Sequence, residues 1–453
     1  MIDIIPLRRQ RDYRLLWTAR AVSETGTEVS RLAVPLTAAV LLGAGPFQMG
    51  LLAAVATLPY LLIGLPAGAW ADRLPRRRPL LVGCEIVAAL AMLTVPLAWM
   101  GEVLSIAWLI TVAFVVGTCT VVFRAAWFPH LPSVVADHQR TAAIAGFQTV
   151  YSTASVFGPG LAGVLVQTLT APVALLADAA SFLLSALCLR SIRSPEKPTG
   201  PARVPGSASA TGDGTDTGTE AEAEGGAGNS DGNQTGTDGT VPPRGGLLSE
   251  IRDGLRIVLT HPILRTLITA GVLINFASAA QLALYVLFAV RTLGLPAGII
   301  GLLTASFGVG GILGAALTPR LTSRFSENRM LLIAGTVLPA EMVILAAAHG
   351  SPAVVVPIVM TGYLLSGVSA VIFSVCYGSI QLREAPRDAV GRVNSVMSVS
   401  TLGVMTLGGL VGGVLGDLVG LRPALWICAA LICLSPLFTW LSPLRHPART
   451  VGP

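Results

Sequence analysis

The sequence predicts an all-α integral membrane protein with twelve transmembrane helices in two pseudo-symmetric six-helix bundles. Three observations predict it. Of the 453 residues, 53% are hydrophobic and only 12% are charged, where a soluble domain carries about 25% charged residues. Apolar runs of membrane-crossing length recur from end to end, as expected of helices rather than a barrel. The halves also echo one another: Gly50-Leu-Leu-Ala-Ala54 returns as Gly301-Leu-Leu-Thr-Ala305, and Gly68…Asp72-Arg73 returns as Gly314…Thr318-Pro319-Arg320. Shared order at an offset of roughly 250 residues reads as a repeat of six helices around a central cavity.

Taken in order, the apolar runs place spans near 14–42, 47–71, 79–100, 104–126, 140–168 and 171–191, an N-terminal bundle over 1–193. Residues 194–246 are rich in Gly, Thr, Ala, Ser, Asp and Glu. With almost no aliphatic side chains to bury, they predict a disordered cytoplasmic linker. Residues 247–261 then alternate apolar and charged positions at helical spacing, which predicts an amphipathic surface helix on the inner membrane face or against a partner protein. The second six spans fall near 262–290, 296–318, 329–349, 352–379, 390–418 and 421–442, a C-terminal bundle over 262–453 with a short tail.

Charge sets the orientation. The arginines of 73–78, with Arg140, Arg190, Arg193, Arg320, Arg324, Arg329, Arg383, Arg387, Arg392 and Arg445, fall on one side; the other offers mainly Arg291 and Arg422. The positive-inside rule therefore puts both termini in the cytoplasm of a multi-pass plasma-membrane protein. It also explains the net charge of +6 without a nucleic-acid partner. The basic N-terminus, lacking a cleavage site, reads as a retained first helix. Lys197 is the one lysine, a bias expected of a GC-rich, actinobacterial genome. Six cysteines scattered singly, with no paired spacing and no His cluster, point to packing rather than to a metal or redox site.

The first span carries Arg20, Glu24, Glu28 and Arg31, steps that put all four within about 80° of one helical face. Each charge costs roughly 2.5–3.5 kcal/mol at the bilayer centre, so the stripe should face the interior. There the Arg20–Glu24 and Glu28–Arg31 spacings allow mutual neutralisation. Either the pairs only compensate one another, or Glu24 or Glu28 exchanges a proton as its surroundings dry, with Glu28 favoured for its depth. Glu85, Asp178 and Glu341 are isolated intramembrane acids, each as fit for a structural bond as for function. Gln148, Tyr151, Asn275, Gln281 and Tyr363, with Tyr285 and Tyr377, are candidates for lining a substrate cavity. Glycines at Gly64/Gly68, Gly158/Gly160/Gly163, Gly308/Gly310/Gly311/Gly314 and Gly408/Gly409/Gly412/Gly413/Gly416 would let helices approach closely in lipid.

The loop Gly68…Asp72-Arg73…Arg76-Arg77, with Tyr13-Arg-Leu-Leu-Trp17, Ala33-Val-Pro35, Gly158-Pro159-Gly160, Asp178…Phe182 and Gly391-Arg-Val393, resembles the major facilitator superfamily. Within it the likeness is to the drug-exporter branch of macrolide-efflux-like and siderophore-exporter-like proton antiporters. The resemblance covers nearly the whole chain outside the linker. It implies that Gly68, Asp72, Arg73, Arg76 and Arg77 form a cytoplasmic gating loop, with Asp72 at the inner end of the eleventh span. It also implies that Gly158, Pro159 and Gly163 belong to a fifth-helix antiporter motif, from which Ala162 departs. Pro75 stands where the loop motif has glycine, Arg124 where an acid or neutral residue is expected, and Thr318 where the second-half acid would be.

The function expected is therefore a secondary active transporter, not an enzyme, exporting small amphiphilic organic molecules such as drugs, antibiotics or secondary metabolites by proton antiport. No cofactor is expected, the proton gradient being the energy source; without a Gly-x-x-x-x-Gly-Lys-Ser/Thr segment ATP is not a partner. Lipid, protons and the small-molecule substrate are. A proton-coupled importer and a non-transporting membrane sensor are the alternatives.

Overall fold

A computed structural model describes residues 6–74, 76–194, 247–386 and 389–445. The first half comprises α1 (Arg11–Leu36), continued by a π-helical turn Thr37–Leu41, then α2 (Pro46–Arg73), α3 (Arg78–Met100), α4 (Ile106–His130), α5 (Arg140–Leu169) and α6 (Ala171–Arg190). A short α7 (Leu247–Thr260) precedes α8 (Pro262–Arg291), α9 (Ala297–Arg324), α10 (Glu327–Val337), α11 (Ala340–Ala347), α12 (Pro352–Glu384), α13 (Val390–Val419) and α14 (Leu421–Trp440). With α10 and α11 forming one pass, the described residues make twelve passes and no strand. Ten are long and apolar enough to cross a membrane. The first is not, because of its charged stripe, and α13 is apolar only over Gly403–Val419. Helices α4, α9 and α12 outrun their apolar stretches by four to six residues at the Arg-rich end, since a helix continues past the hydrocarbon where its polar side chains meet water.

The ninth span differs from expectation. A single helix over 329–349 is predicted, but the chain breaks between α10 and α11 at Leu338 and Pro339. Pro339 has no N–H to offer the preceding turn, so the ladder cannot run through it. The Ser366 hydroxyl donates to the Leu338 carbonyl at 3.0 Å, satisfying a group the break exposes.

Pseudo-symmetry is written into the backbone. Among the described residues the positive-φ positions pair across the halves: Gly43 with Gly294 (both +63°), Glu102 (+56°) with Gly350 (+107°), and Thr170 (+95°) with Gly420 (+89°). Each pair closes the same turn between corresponding passes. Gly420 holds its conformation without a side-chain penalty, whereas Thr170, at φ 95° and ψ 154°, is strained by about 1–3 kcal/mol. Thr170→Gly should therefore raise the thermal unfolding temperature of the purified protein; a fall would mean that Thr170 contributes contacts outweighing the strain.

Three apolar cores show how the bundles meet. The largest joins both halves at the end opposite the termini, from Val29, Leu32 and Leu36 of α1 to Leu284, Leu287 and Phe288 of α8. At the end that carries the termini two separate cores form instead. One holds Tyr13, Leu16, Trp127 and Ile192; the other holds Leu264, Leu331, Ile380 and Leu444. The molecule is thus fused at the far end and divided at the terminal end.

Glycines make the fused end possible. A Cβ on Gly301 of α9 would lie 2.4 Å from the Pro159 carbonyl and 2.9 Å from Gly163 Cα of α5. Its echo, Gly50 of α2, would come within 2.6 Å of Gly409 O and Gly413 Cα of α13. The repeated Gly-Leu-Leu segment is therefore the contact strip of both inter-bundle seams. Within the α2–α13 seam Thr57 and Thr406 share a 3.0 Å hydrogen bond, and elsewhere between the halves Arg291 donates to the Ala44 carbonyl at 2.9 Å.

The segment 247–261 forms the expected helix, but part of α7 is covered by protein. A Cβ on Gly254 would be 2.9 Å from Val396 Cγ2 of α13, and Val258 is wholly buried in the C-terminal core. Leu255 and Leu259 remain exposed. The expected linker beyond Ser194 lies outside the described residues. The residues just before it are tied down: the Arg78 guanidinium donates to Ile192 O at 2.6 Å and Ser194 O at 2.5 Å, and Asp12 accepts from the Ser194 N–H at 2.7 Å.

Candidate functional site

Two neighbouring cavities share Tyr151 of α5 in their walls. The smaller, about 160 Å³, lies in the N-terminal bundle and is lined by Arg20, Glu24, Arg31, Tyr60, Glu85 and Arg124 among others. The larger, about 730 Å³, lies in the C-terminal bundle against Asn275, Gln281, Tyr285, Glu341 and Tyr363.

In the smaller cavity both spaced pairs of α1 form. Arg20 is ion-paired with Glu24 and lies over the Phe123 and Trp127 rings at 5.7 and 5.5 Å. It is clamped on three sides. The Glu28–Arg31 pair, at 2.8 Å, is asymmetric: the Glu28 side chain is 7% exposed and that of Arg31 58%. Arg31 reaches into the cavity, whose wall it shares with Tyr151. Glu28 lies behind it, wedged between α1 and α5, where a Cβ on Gly158 would come within 2.4 Å of Glu28 Cβ. The pairs therefore differ in kind, one held by aromatic rings and one half open to the cavity.

The Gly158–Gly163 segment links that pair to the seam. Gly158 admits Glu28; the Pro159 carbonyl and Gly163 admit Gly301. Because Pro159 lacks an N–H, the Ser155 carbonyl loses its helical partner, and Gly308 of α9 approaches it so closely that a Cβ would be 2.6 Å away. Ala162, the departure from the motif, is fully buried.

The other acids separate by role. Asp178 is 1% exposed and accepts from the Ser30 hydroxyl and, at 3.1 Å, from Ser181, which fastens α6 to α1. Glu85 accepts from Ser23 at 3.5 Å, while its Oε2 is buried without a partner. Cys84 and Cys119, distant in sequence, come together in the wall beside it, a proximity that spacing does not reveal. Among the described residues no group of three or more His, Cys, Asp and Glu is arranged to hold a metal ion.

Of the proposed lining residues, Tyr151, Asn275, Gln281 and Tyr363 line the larger cavity. Gln148 sits exposed on α5 and is not among the residues lining the two cavities. Of the gating loop, Arg76 is exposed and Arg77 donates to the Ala71 carbonyl at 3.3 Å. The surroundings of Gly68, the side chains of Asp72 and Arg73, and all of Pro75 lie outside what the structure describes. Arg124 turns toward the cavity, donating to the Tyr60 hydroxyl at 3.4 Å. Glu341, read from sequence as one isolated acid among three, stands at the break of the ninth pass and in the wall of the larger cavity. The signal was present: Pro339 in mid-span, two residues before an acid, is the interrupted-helix pattern of binding sites in transporters.

Two helical bundles with adjoining cavities are an architecture that secondary transporters use. The sequence profile of the Major Facilitator Superfamily matches residues 16–401 and 267–453, and the chain belongs to that family. It is 24% identical over 447 residues to the uncharacterized MFS-type transporter YfiS of Bacillus subtilis (strain 168), covering 95% of this chain and 93% of that one. Its fold is similar to an inward-facing bacterial homologue of the iron transporter ferroportin, at 18% identity, TM-score 0.68 and 96% and 98% coverage. It is also similar to the nucleoside transporter NupG, at 10% identity, TM-score 0.68 and 96% and 98% coverage. The chain is a multi-pass membrane transporter of a small-molecule substrate and not an enzyme.

Proposed function

We propose that this transporter exports small amphiphilic organic molecules across the cell membrane in exchange for protons. The observation that carries the reading is the chain of contacts from Arg31 in the cavity, through Glu28 and Gly158, to Pro159 and Gly301 at the seam. A proton on Glu28 removes the charge that holds Arg31. The two occupants of the cavity thereby become linked: a proton on Glu28 changes what Arg31 offers a substrate, and a substrate engaging Arg31 changes the affinity of Glu28 for its proton. Differential affinity between states is what coupled transport requires.

The Arg-rich end faces the cytoplasm on this reading, so the divided end is the inner one and the fused end the outer. Export then consists of loading from the cytoplasm, rocking about the two seams, and release outside. Glu24 and Arg20, clamped by Phe123 and Trp127, hold the first helix in place through the cycle, and the loop with Asp72, Arg73, Arg76 and Arg77 acts as the inner gate.

The test is uptake into inverted vesicles with and without an imposed pH gradient, guided by a drug-susceptibility panel in an efflux-deficient host. Export predicts gradient-dependent accumulation in the vesicles and growth protection that is lost in Glu28→Gln. Gradient-dependent uptake in right-side-out vesicles, with none in inverted ones, would make the protein an importer.

A further inference from the structure

Each acid of the first-helix stripe has an arginine beside it, but Glu341 does not. None of the residues lining the larger cavity is Lys, Arg or His. Gln281 and Ser366 share its wall, yet its Oε2 is buried with no hydrogen-bond partner. A carboxylate in the hydrocarbon zone is costly and is favoured by a cation beside it, and among the described residues the cavity wall supplies none. Beside it the Tyr285 and Tyr363 rings stand 5.6 Å apart at 41°. Tyrosine faces attract cations. Around them Ile274, Leu282, Phe307, Met342 and Phe373 form an apolar wall. A volume of about 730 Å³ is that of a site for a drug-sized molecule.

We propose that this cavity binds a protonated amine carried on an amphiphilic aromatic or aliphatic body, with Glu341 as the counter-ion and the Tyr285–Tyr363 pair as the platform for the charge. The opposite wall strengthens the assignment. Across Tyr151 the smaller cavity sets three arginines, Arg20, Arg31 and Arg124, among its acids, whereas the wall around Glu341 has none. The broken ninth pass serves the same end, because the Leu338–Pro339 interruption carries Glu341 at the start of a new helix rather than in the middle of a continuous one. The inference deepens the export reading and rests on it for direction, but the binding site stands or falls without it.

The probe is monodansylcadaverine, a fluorescent primary amine, compared with its neutral N-acetyl derivative on the full-length protein in nanodiscs without any gradient. The wild-type protein should bind the amine at least about tenfold more tightly than the acetylated compound, as a charge-assisted contact requires. Glu341→Gln should erase that preference while leaving affinity for the neutral compound unchanged, and Glu341→Asp should keep part of it. Equal affinity of the wild-type protein for both compounds overturns the proposal without recourse to any variant, and so does an undiminished preference in a Glu341→Gln protein that elutes as a single species. A preference abolished by sodium ions at constant ionic strength would assign Glu341 to an inorganic cation instead and overturn it equally. If the amine binds as stated but is never driven across vesicle membranes, the export reading fails and the site remains.

Discussion

Valine at Gly301 should force the fused end of the molecule apart. A Cβ there would already stand 2.4 Å from the Pro159 carbonyl, a backbone atom that cannot swing aside, and valine adds two methyl groups. Overpacking of this kind costs about 1–3 kcal/mol, enough to shift a two-state equilibrium by roughly 5–150-fold. Because the clash exists only while α5 and α9 touch, the state open at that end escapes it. Spin labels on the exposed loop residues Glu102 and His349, one in each bundle, in a background without native cysteines, should report a longer distance in Gly301→Val. Gly64→Val, where a Cβ meets open space, should leave the distance unchanged. An unaltered distance in Gly301→Val would mean that the seam is not the fulcrum.

The second large effect is expected at Glu28. Glutamine keeps the shape of the side chain and an acceptor oxygen for Arg31, but removes the titration. Glu28→Gln should therefore abolish gradient-driven transport while changing the thermal unfolding temperature little. Glu24→Gln should do the reverse. It takes the charged partner from an arginine held by Phe123 and Trp127, and depriving a partly buried charge of its partner destabilises the fold. The contrast follows from exposure: the Arg31 side chain is 58% exposed and the Arg20 side chain 20%.

Much of the fold was legible because hydrocarbon imposes a single length scale. Apolar runs such as 79–100 and 352–379 located α3 and α12 to within a turn or so, with errors where helices continue into polar sequence. The Gly50/Gly301 echo gave the repeat, and the structure shows why it is there: each glycine meets the other bundle. Hydropathy averages over a window, so it passed over the Pro339 break and undervalued Glu341. Residues joined only through space were beyond its reach. Nothing in the spacing of Cys84 and Cys119, or of Glu28 and Gly158, says that they adjoin. Polarity inside a span does not say which way a side chain points, so Gln148, exposed on α5, and Gln281, in the cavity wall, read alike in the sequence. The charged stripe of α1 was readable because both pairs are local to one helix; their unequal exposure was not, because α4 and α5 create it.

Coupling through Glu28 is tested most directly in proteoliposomes by separating exchange from drive, using a substrate identified by the susceptibility panel. Wild-type protein should exchange labelled for unlabelled substrate without a gradient and accumulate it when a pH gradient is imposed. Glu28→Gln should retain the exchange and lose the accumulation. A variant that still concentrates substrate in response to the gradient as the wild type does would contradict the assignment of Glu28 as the coupling group.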